Sequence, residues 1–379
     1  MPSPNPFAPS FGTSPPLLVG RDDALEDFRN ALTAGPGAPG RATLVTGLRG
    51  TGKTVMLNAF EDIAHDTKWV VISETATPEF LDRIIHEHLP LLLSEHDPDQ
   101  KESSLTGASL SGIGGFQRDV KRRYEARTGL RDQLFRLADL LQAKAGAGVL
   151  ITLDEVHHRQ LDQIRELGAT IQHGFRQGRA VAFAGAGLPS SVSDLLSDEV
   201  STFLRRADRV HLDSVTPTDV ARAIRIPVEN QGYEIADDAL DVAVQGTRGY
   251  PFMIQLVGWH TWAKAGGADR ITNRHALAGV EQAARKVGAL VHQPALADLS
   301  DVDRSFLAAM AHDDGPSRMR DITERLGVTP VYAGQYRLRL IEAEMIFSPK
   351  HGYVDYSLPG LRTYLREHAA STTWRGLTT

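Results

Sequence analysis

Short apolar runs and stretches with helical spacing alternate along the first 215 residues. Residues 42–46 (ATLVT), 68–76 (KWVVISETA), 149–153 (VLITL), 179–187 (RAVAFAGAG) and 208–215 (DRVHLDSV) are β-branched or apolar and bounded by turn residues, which predicts strands. Between them, 17–32, 55–60, 77–93, 127–145 and 159–178 repeat apolar positions every three to four residues, which predicts helices. In the third of these, Thr77 is a candidate cap with Pro78 at the first helical position. Strands alternating with helices predict an α/β fold: a parallel sheet covered on both faces, with any ligand at the carboxyl ends of the strands. One stretch breaks the rhythm. In 95–120 apolar residues alternate loosely with Ser and Gly, which predicts an inserted hairpin.

From Thr216 onward the strand pattern stops, and 216–233, 236–247, 249–266 and 272–287 all read as helices. A further module begins near residue 294. It has helices at 299–311 and 317–328, then a third opened by Thr329-Pro330 with Leu338, Ile341 and Met345 on one face. Two short strands around Lys350-His351-Gly352 and a closing helix at 360–368 follow. Helix, helix–turn–helix and hairpin together predict a winged helix. The expected organisation is a mobile leader at 1–16, a core at 17–215, a helical lid at 216–293 and a winged-helix domain at 294–379.

Composition narrows the class. Of 379 residues, 41% are hydrophobic and 23% charged, as in ordinary globular proteins. The net charge of −6 gives no global nucleic-acid footprint, so any basic surface is local. There are no cysteines, which excludes disulfides and thiolate metal sites and fits a cytoplasmic location. No apolar run approaches the ~18 residues that a membrane span needs. The Pro- and Ser-rich first 19 residues lack the basic start and apolar stretch of a signal peptide.

The candidate chemistry starts after the first strand. Gly47-Leu48-Arg49-Gly50-Thr51-Gly52-Lys53-Thr54 fits G-x-x-x-x-G-K-[ST] at every fixed position and leads into a helix beginning near Val55. Glycines let consecutive backbone N–H groups turn toward one anion, and the helix N-terminus adds its own donors and partial positive charge. Lys53 can reach the β- and γ-phosphates, and the Thr54 hydroxyl can ligate Mg²⁺. The strand at 149–153 ends in Asp154 and Glu155. Asp154 is a candidate for holding Mg²⁺ through water, and Glu155 for orienting or deprotonating an attacking water. His157 and His158 follow without H-E-x-x-H spacing, so zinc is not expected.

Together, "LVGRDDAL" before the first strand, the phosphate loop, "ITLDE" and the helical lid resemble AAA+ and STAND-type ATPases, relatives of the origin-recognition initiators, over residues 17–265. Gly249-Tyr250-Pro251 matches the G-x-P tripeptide of STAND lids. The resemblance implies ATP and Mg²⁺ as cofactors, Gly20, Arg21 and Pro251 near the adenine, and Arg248 as a phosphate-sensing arginine. It also implies Arg205, Arg206 and Arg209 as arginine-finger candidates acting on a neighbour's ATP in a homo-oligomer. Gly185 and Ala186 stand where many AAA+ members carry a polar sensor residue, which favours a slow switch over a motor.

In the winged helix, Tyr332, Gln335, Tyr336, Arg337 and Arg339 on the third helix and Lys350 at the wing tip are the candidate DNA contacts. Residues 315–370 hold 8 Arg and Lys against 6 Asp and Glu, a thin excess for phosphate binding. Two expectations stay open: an ATP-controlled switch that grips double-stranded DNA, or a signalling ATPase whose winged helix contacts a protein.

Overall fold

A computed structural model describes residues 4–10, 12–35, 37–97, 129–197 and 202–368. The hairpin expected within 95–120 lies outside the described residues from 98 onward; up to His96 the chain is helical. The chain divides into two compact units. One comprises Arg21–Gly47 and Gly52–Leu212; the other comprises Met1–Gly20, Leu48–Thr51 and Asp213–Thr379.

In the first unit, β1 (Ala42–Gly47), β2 (Val70–Thr75), β3 (Val149–Val156), β4 (Val181–Gly187) and β5 (Asp208–Leu212) form one parallel sheet in the order β2-β3-β4-β1-β5. All five predicted strands are present. β4 is buried along its whole length, as expected for an inner parallel strand covered on both faces. The covering elements are α1 (Asp22–Thr33), α2 (Lys53–Asp66), α3 (Phe80–Arg83), α4 (Leu89–His96), α5 (Leu130–Ala145), α6 (Leu161–Arg176), α7 (Pro189–Ser197) and α8 (Thr202–Arg205). Leu44, Ile72, Ile151 and Phe183 from the sheet pack with Leu134, Ile164 and Ile171 from the helices in one continuous core.

The helix after β2 departs from expectation. Thr77 does not cap it; the helix starts at Phe80, after Glu79 in a left-handed conformation (φ 64°). The Thr77 hydroxyl is instead taken by Arg83, 2.8 Å away, whose guanidinium also forks onto the buried Glu74 carboxylate. A π-helical turn, Ile84–His88, joins α3 to α4 and brings His88 to the same carboxylate at 2.9 Å.

The second unit holds two cores. The first packs α9 (Pro217–Asn230), α10 (Asp237–Thr247), α11 (Pro251–Ala265) and α12 (Asn273–Val287), the four helices expected of a lid. Thr216 caps α9, accepting from the Asp219 N–H. The stretch is not purely helical: β6 (Glu234–Ile235) and β7 (Arg270–Ile271) form a short parallel pair. The leader expected to be mobile over 1–16 is tied down at residues 5–8. Phe7 is buried in this core beside Gly258, Asn5 Nδ2 donates to the Trp259 carbonyl (3.0 Å), and the Ala8 N–H donates to Gln255 Oε1 (3.1 Å). A Phe in a Pro-rich segment shows no periodicity, so only the glycine-sized gap on α11 reveals its place.

The second core follows α13 (Gln293–Ala297). It contains α14 (Asp301–Met310), β8 (Ser317–Arg318), α15 (Met319–Leu326), α16 (Pro330–Glu342), β9 (Ile346–Phe347), β10 (Tyr353–Tyr356) and α17 (Leu361–His368). The strands form an antiparallel sheet in the order β8-β10-β9, with the two-residue β8 added to the expected hairpin. On α16 the expected inner face is wrong at Leu338, which is 62% exposed, as is Val331 at 74%. The buried positions of the helix are Ala333 and Leu340, seven residues apart on a different face.

Candidate nucleotide-binding site

The loop after β1 turns sharply because Gly50 (φ 73°) and Gly52 (φ 95°) occupy the left-handed region that side chains disfavour. Gly52 is also the N-cap of α2 and brings no side chain to cap it, so the helix's first N–H groups point outward as an anion site does. Lys53 Nζ reaches back across the loop to the Gly47 carbonyl (2.9 Å). Val55 follows, half-buried in the first turn of α2.

One hundred residues separate Thr54 from Asp154, yet the Thr54 hydroxyl donates to Asp154 Oδ2 at 2.5 Å. Topology causes this. β4 lies between β1 and β3, and α2, leaving β1, crosses back over β4 onto β3. Asp154 Oδ1 accepts from the Glu155 N–H at 2.8 Å. Glu155 itself is exposed and left-handed (φ 54°), at a bulge where the β3–β4 register jumps from Leu153 to Val156. A non-glycine residue in this conformation carries strain of about 1–2 kcal/mol. The bulge turns Glu155 out of the ladder, beside the carboxylate that faces Thr54. Opposite the bulge, a Cβ on Gly187 would lie 2.6 Å from the Val156 carbonyl, so the end of β4 accommodates glycine there and offers no polar side chain.

The tip of the loop, Leu48–Thr51, groups with the second unit. Thr51 closes it locally, its hydroxyl donating to the Leu48 carbonyl (2.8 Å). The Tyr250 hydroxyl donates to the Arg49 carbonyl at 3.1 Å, and burial pushes the Tyr250 phenol up to about 12, so it stays a donor. Arg49 Nε meets Glu344 Oε2 at 3.0 Å. Pro251 starts α11, and the exposed Arg248 is left-handed (φ 51°) with its Nη1 on the Thr363 hydroxyl at 3.3 Å. Gly20 is left-handed, beside Asp219 in the same unit; Arg21 is the N-cap of α1 in the other.

The arginine-finger candidates do not gather at this chain's own loop. Arg205 Nε donates to the Leu196 carbonyl (2.8 Å), and Arg206 and Arg209 are exposed. Arg209 pairs with Leu44 in the β1–β5 register, whereas Gly47 pairs with Leu212, so Arg209 lies toward the amino end of its strand. Sequence reading missed Tyr250 as a loop contact because it is the variable member of the tripeptide. It also missed Glu344, which carries no motif.

In the C-terminal module the candidate DNA contacts are largely engaged internally. Arg339 Nη2 binds the buried Asp303 carboxylate (2.8 Å), Arg337 Nη2 donates to Ser348 Oγ (2.7 Å), and the Tyr332 hydroxyl donates to that of Tyr336 (3.2 Å). Lys350 lies over the Tyr353 ring, 4.1 Å from its centroid, while Gln335 is exposed. Arg325, Arg362 and Arg366 pair with Asp313, Asp355 and Asp314.

A phosphate loop between a parallel strand and a helix, with a carboxylate from a second strand against its threonine, defines a P-loop NTPase fold. The family comparison agrees, since residues 17–183 match the AAA ATPase domain. Residues 289–365 match a domain of unknown function (DUF8462). Among solved structures, the Walker-type ATPase of Pyrococcus abyssi superimposes with a TM-score of 0.62 at 18% identity, covering 92% of this chain and 96% of that one. The ORC2 protein of Aeropyrum pernix, solved in ADPNP–ADP complexes, superimposes with a TM-score of 0.57 at 14% identity, covering 96% and 97%. At these identities the likeness is one of fold. No curated protein matches the chain. Among the described residues no helix is long and apolar enough to cross a membrane.

Proposed function

We propose that this chain is an ATP-binding, slowly hydrolysing switch whose C-terminal winged helix contacts a protein partner according to the bound nucleotide. The carrying observation is the 2.5 Å contact between Thr54 and Asp154. A hydroxyl and a carboxylate are the hard oxygen donors that suit Mg²⁺, which keeps waters and phosphate oxygens as its other ligands. Bound there, the ion would neutralise charge on the phosphates. The chain's own work is then positional. The loop N–H groups and Lys53 hold the phosphates, Thr54 and Asp154 would hold the ion, and Glu155, turned out by the bulge, accepts a proton from the attacking water. The absence of a polar side chain on β4 supports low turnover.

The order of helices and strands in the C-terminal module supports the winged-helix reading. Its cations support a protein partner over DNA. Among the described residues, Arg304, Arg325, Arg339, Arg362 and Arg366 are ion-paired within the module, and the exposed face of α16 carries Val331 and Leu338. DNA affinity depends on cations available to phosphates, and paired ones are poor donors. The test is binding of a fluorescent ATP analogue, followed by fluorescence anisotropy of a labelled duplex at two salt concentrations. Lys53→Ala is expected to lose nucleotide binding. Glu155→Gln is expected to bind ATP but not hydrolyse it, and to trap the partner in a pull-down. Normal hydrolysis by Glu155→Gln would refute the role given to Glu155. Salt-sensitive, nucleotide-dependent duplex binding would move the partner assignment to DNA.

A further inference from the structure

We infer that Glu61 is a positioning residue that sets the spacing of Thr54 and Asp154, and through it the affinity for magnesium; this rests on the reading of those two residues as the metal pair. Thr54 and Glu61 are seven residues apart on α2, two turns, and so share one face. Thr152 and Asp154 are two apart on β3 and so share one face of the sheet. The two faces meet in two rungs. The upper rung is Thr54 to Asp154, 2.5 Å; in the lower, the Thr152 hydroxyl donates to Glu61 Oε1 at 2.5 Å. The same Glu61 oxygen also accepts from the Ser73 hydroxyl of β2 at 2.8 Å, and Ser73 is the register partner of Thr152. One carboxylate therefore ties α2 to two adjacent strands just below the proposed metal site.

Such a rung does something that the surrounding core cannot. Met56, Leu57, Phe60, Ile63 and Ala64 bury the rest of this helix through non-directional apolar contact, which tolerates small sliding. A charge-assisted hydrogen bond fixes distance and angle far more tightly. Metal ligands need that precision, because a displacement of an ångström at one ligand costs much of the affinity. Thr152 is fully buried in a strand whose neighbours Ile151 and Leu153 are apolar, so its hydroxyl has a specific reason to be there. Glu61 itself touches neither Lys53 nor Thr54 through any of these bonds; it acts through β3.

The test uses the full chain with Glu61→Gln, Glu61→Leu, Thr152→Val and Thr54→Ala, and a fluorescent ADP analogue titrated in EDTA and across Mg²⁺ concentrations. Glu61→Leu is expected to keep its EDTA affinity within about twofold while the Mg²⁺ concentration for half-maximal effect rises about tenfold, the size seen for residues that orient metal ligands. Thr152→Val, which changes shape least, should move it in the same direction if the leucine variant folds poorly. Glu61→Gln keeps the accepting oxygen and should restore most of the wild-type value. A thermal midpoint that falls without a change in Mg²⁺ dependence, for both Glu61→Leu and Thr152→Val, overturns the inference while leaving the metal pair standing. If Thr54→Ala also leaves the Mg²⁺ dependence unchanged, the metal pair itself is refuted, and this inference with it.

Discussion

Replacing Phe7 by Ala tests whether the amino-terminal segment is a structural part of the helical unit. Phe7 is 2% exposed, and its ring occupies the space left by Gly258 on α11, where a Cβ would come within 2.4 Å of it. The flanking backbone is held at two further points, Asn5 to the Trp259 carbonyl and the Ala8 N–H to Gln255. Truncating a buried Phe usually costs about 3–5 kcal/mol, of which part is the cavity left behind. Here the segment can lift away and let water or neighbouring side chains close the gap, so the transfer term alone, about 1.5–3 kcal/mol, is the expected loss. In a unit of roughly this size that lowers the midpoint of its thermal transition by about 3–12 °C. The assay is calorimetry of the full chain, paired with amide hydrogen exchange at Ala8, whose protection should fall as its bond to Gln255 opens. Gly258→Ala should do the same from the other side by expelling the ring. An unchanged midpoint together with unchanged exchange at Ala8 in Phe7→Ala would refute the argument that this side chain anchors the segment.

Two further outcomes follow from the structure. The Arg325 guanidinium, bonded to both Asp313 carboxylate oxygens, holds Asp313 down to about 2 from an ordinary 3.8. A depressed carboxylate contributes stability above its unfolded value and loses it as pH falls through the folded one, so the denaturant midpoint of Arg325→Met should lie below wild type at pH 5 and the gap should narrow as pH falls through 2, leaving the pH-independent loss of the Arg325 bond to the Ala309 carbonyl; a constant gap would refute the pairing. Gly50→Ala puts a side chain at φ 73°, 2.0 Å from the Tyr250 hydroxyl, and should weaken nucleotide binding, with Tyr250→Ala restoring part of it in the double variant. Equal affinities in the single and double variants would show that Tyr250 is not the obstacle.

Much of the first unit was legible in the chain because its signals are local. The five strands are contiguous apolar runs, and the phosphate loop is a fixed spacing of glycines before a lysine. Asp154 and Glu155 announce themselves at the end of a strand. Helix entry was read well where the cap is the residue itself, as at Thr216 and Thr329, whose hydroxyls accept from the N–H three residues on. It was misread at Thr77, because a distant arginine claims that hydroxyl.

The remainder was decided by tertiary structure, and the reason is the same in each case: the interaction joins residues whose separation follows no period. Sequence supplies Thr54 and Asp154 as candidates, but only the path of α2 across β4 brings them to hydrogen-bonding distance. Leu338 looked like core because leucine at helical spacing usually is, yet the packing partners of α16 select Ala333 and Leu340 and leave Leu338 outside. Arg339 read as a candidate DNA contact until folding placed the buried Asp303 carboxylate against it. Phe7 sits in a proline-rich stretch that predicts no structure, and its place is dictated by a glycine 251 residues away. By itself the sequence determined that this protein is built around a phosphate loop on a parallel sheet, since backbone conformation at glycine and strand propensity act over a few residues. Which carboxylate meets which hydroxyl depended on the whole chain closing on itself.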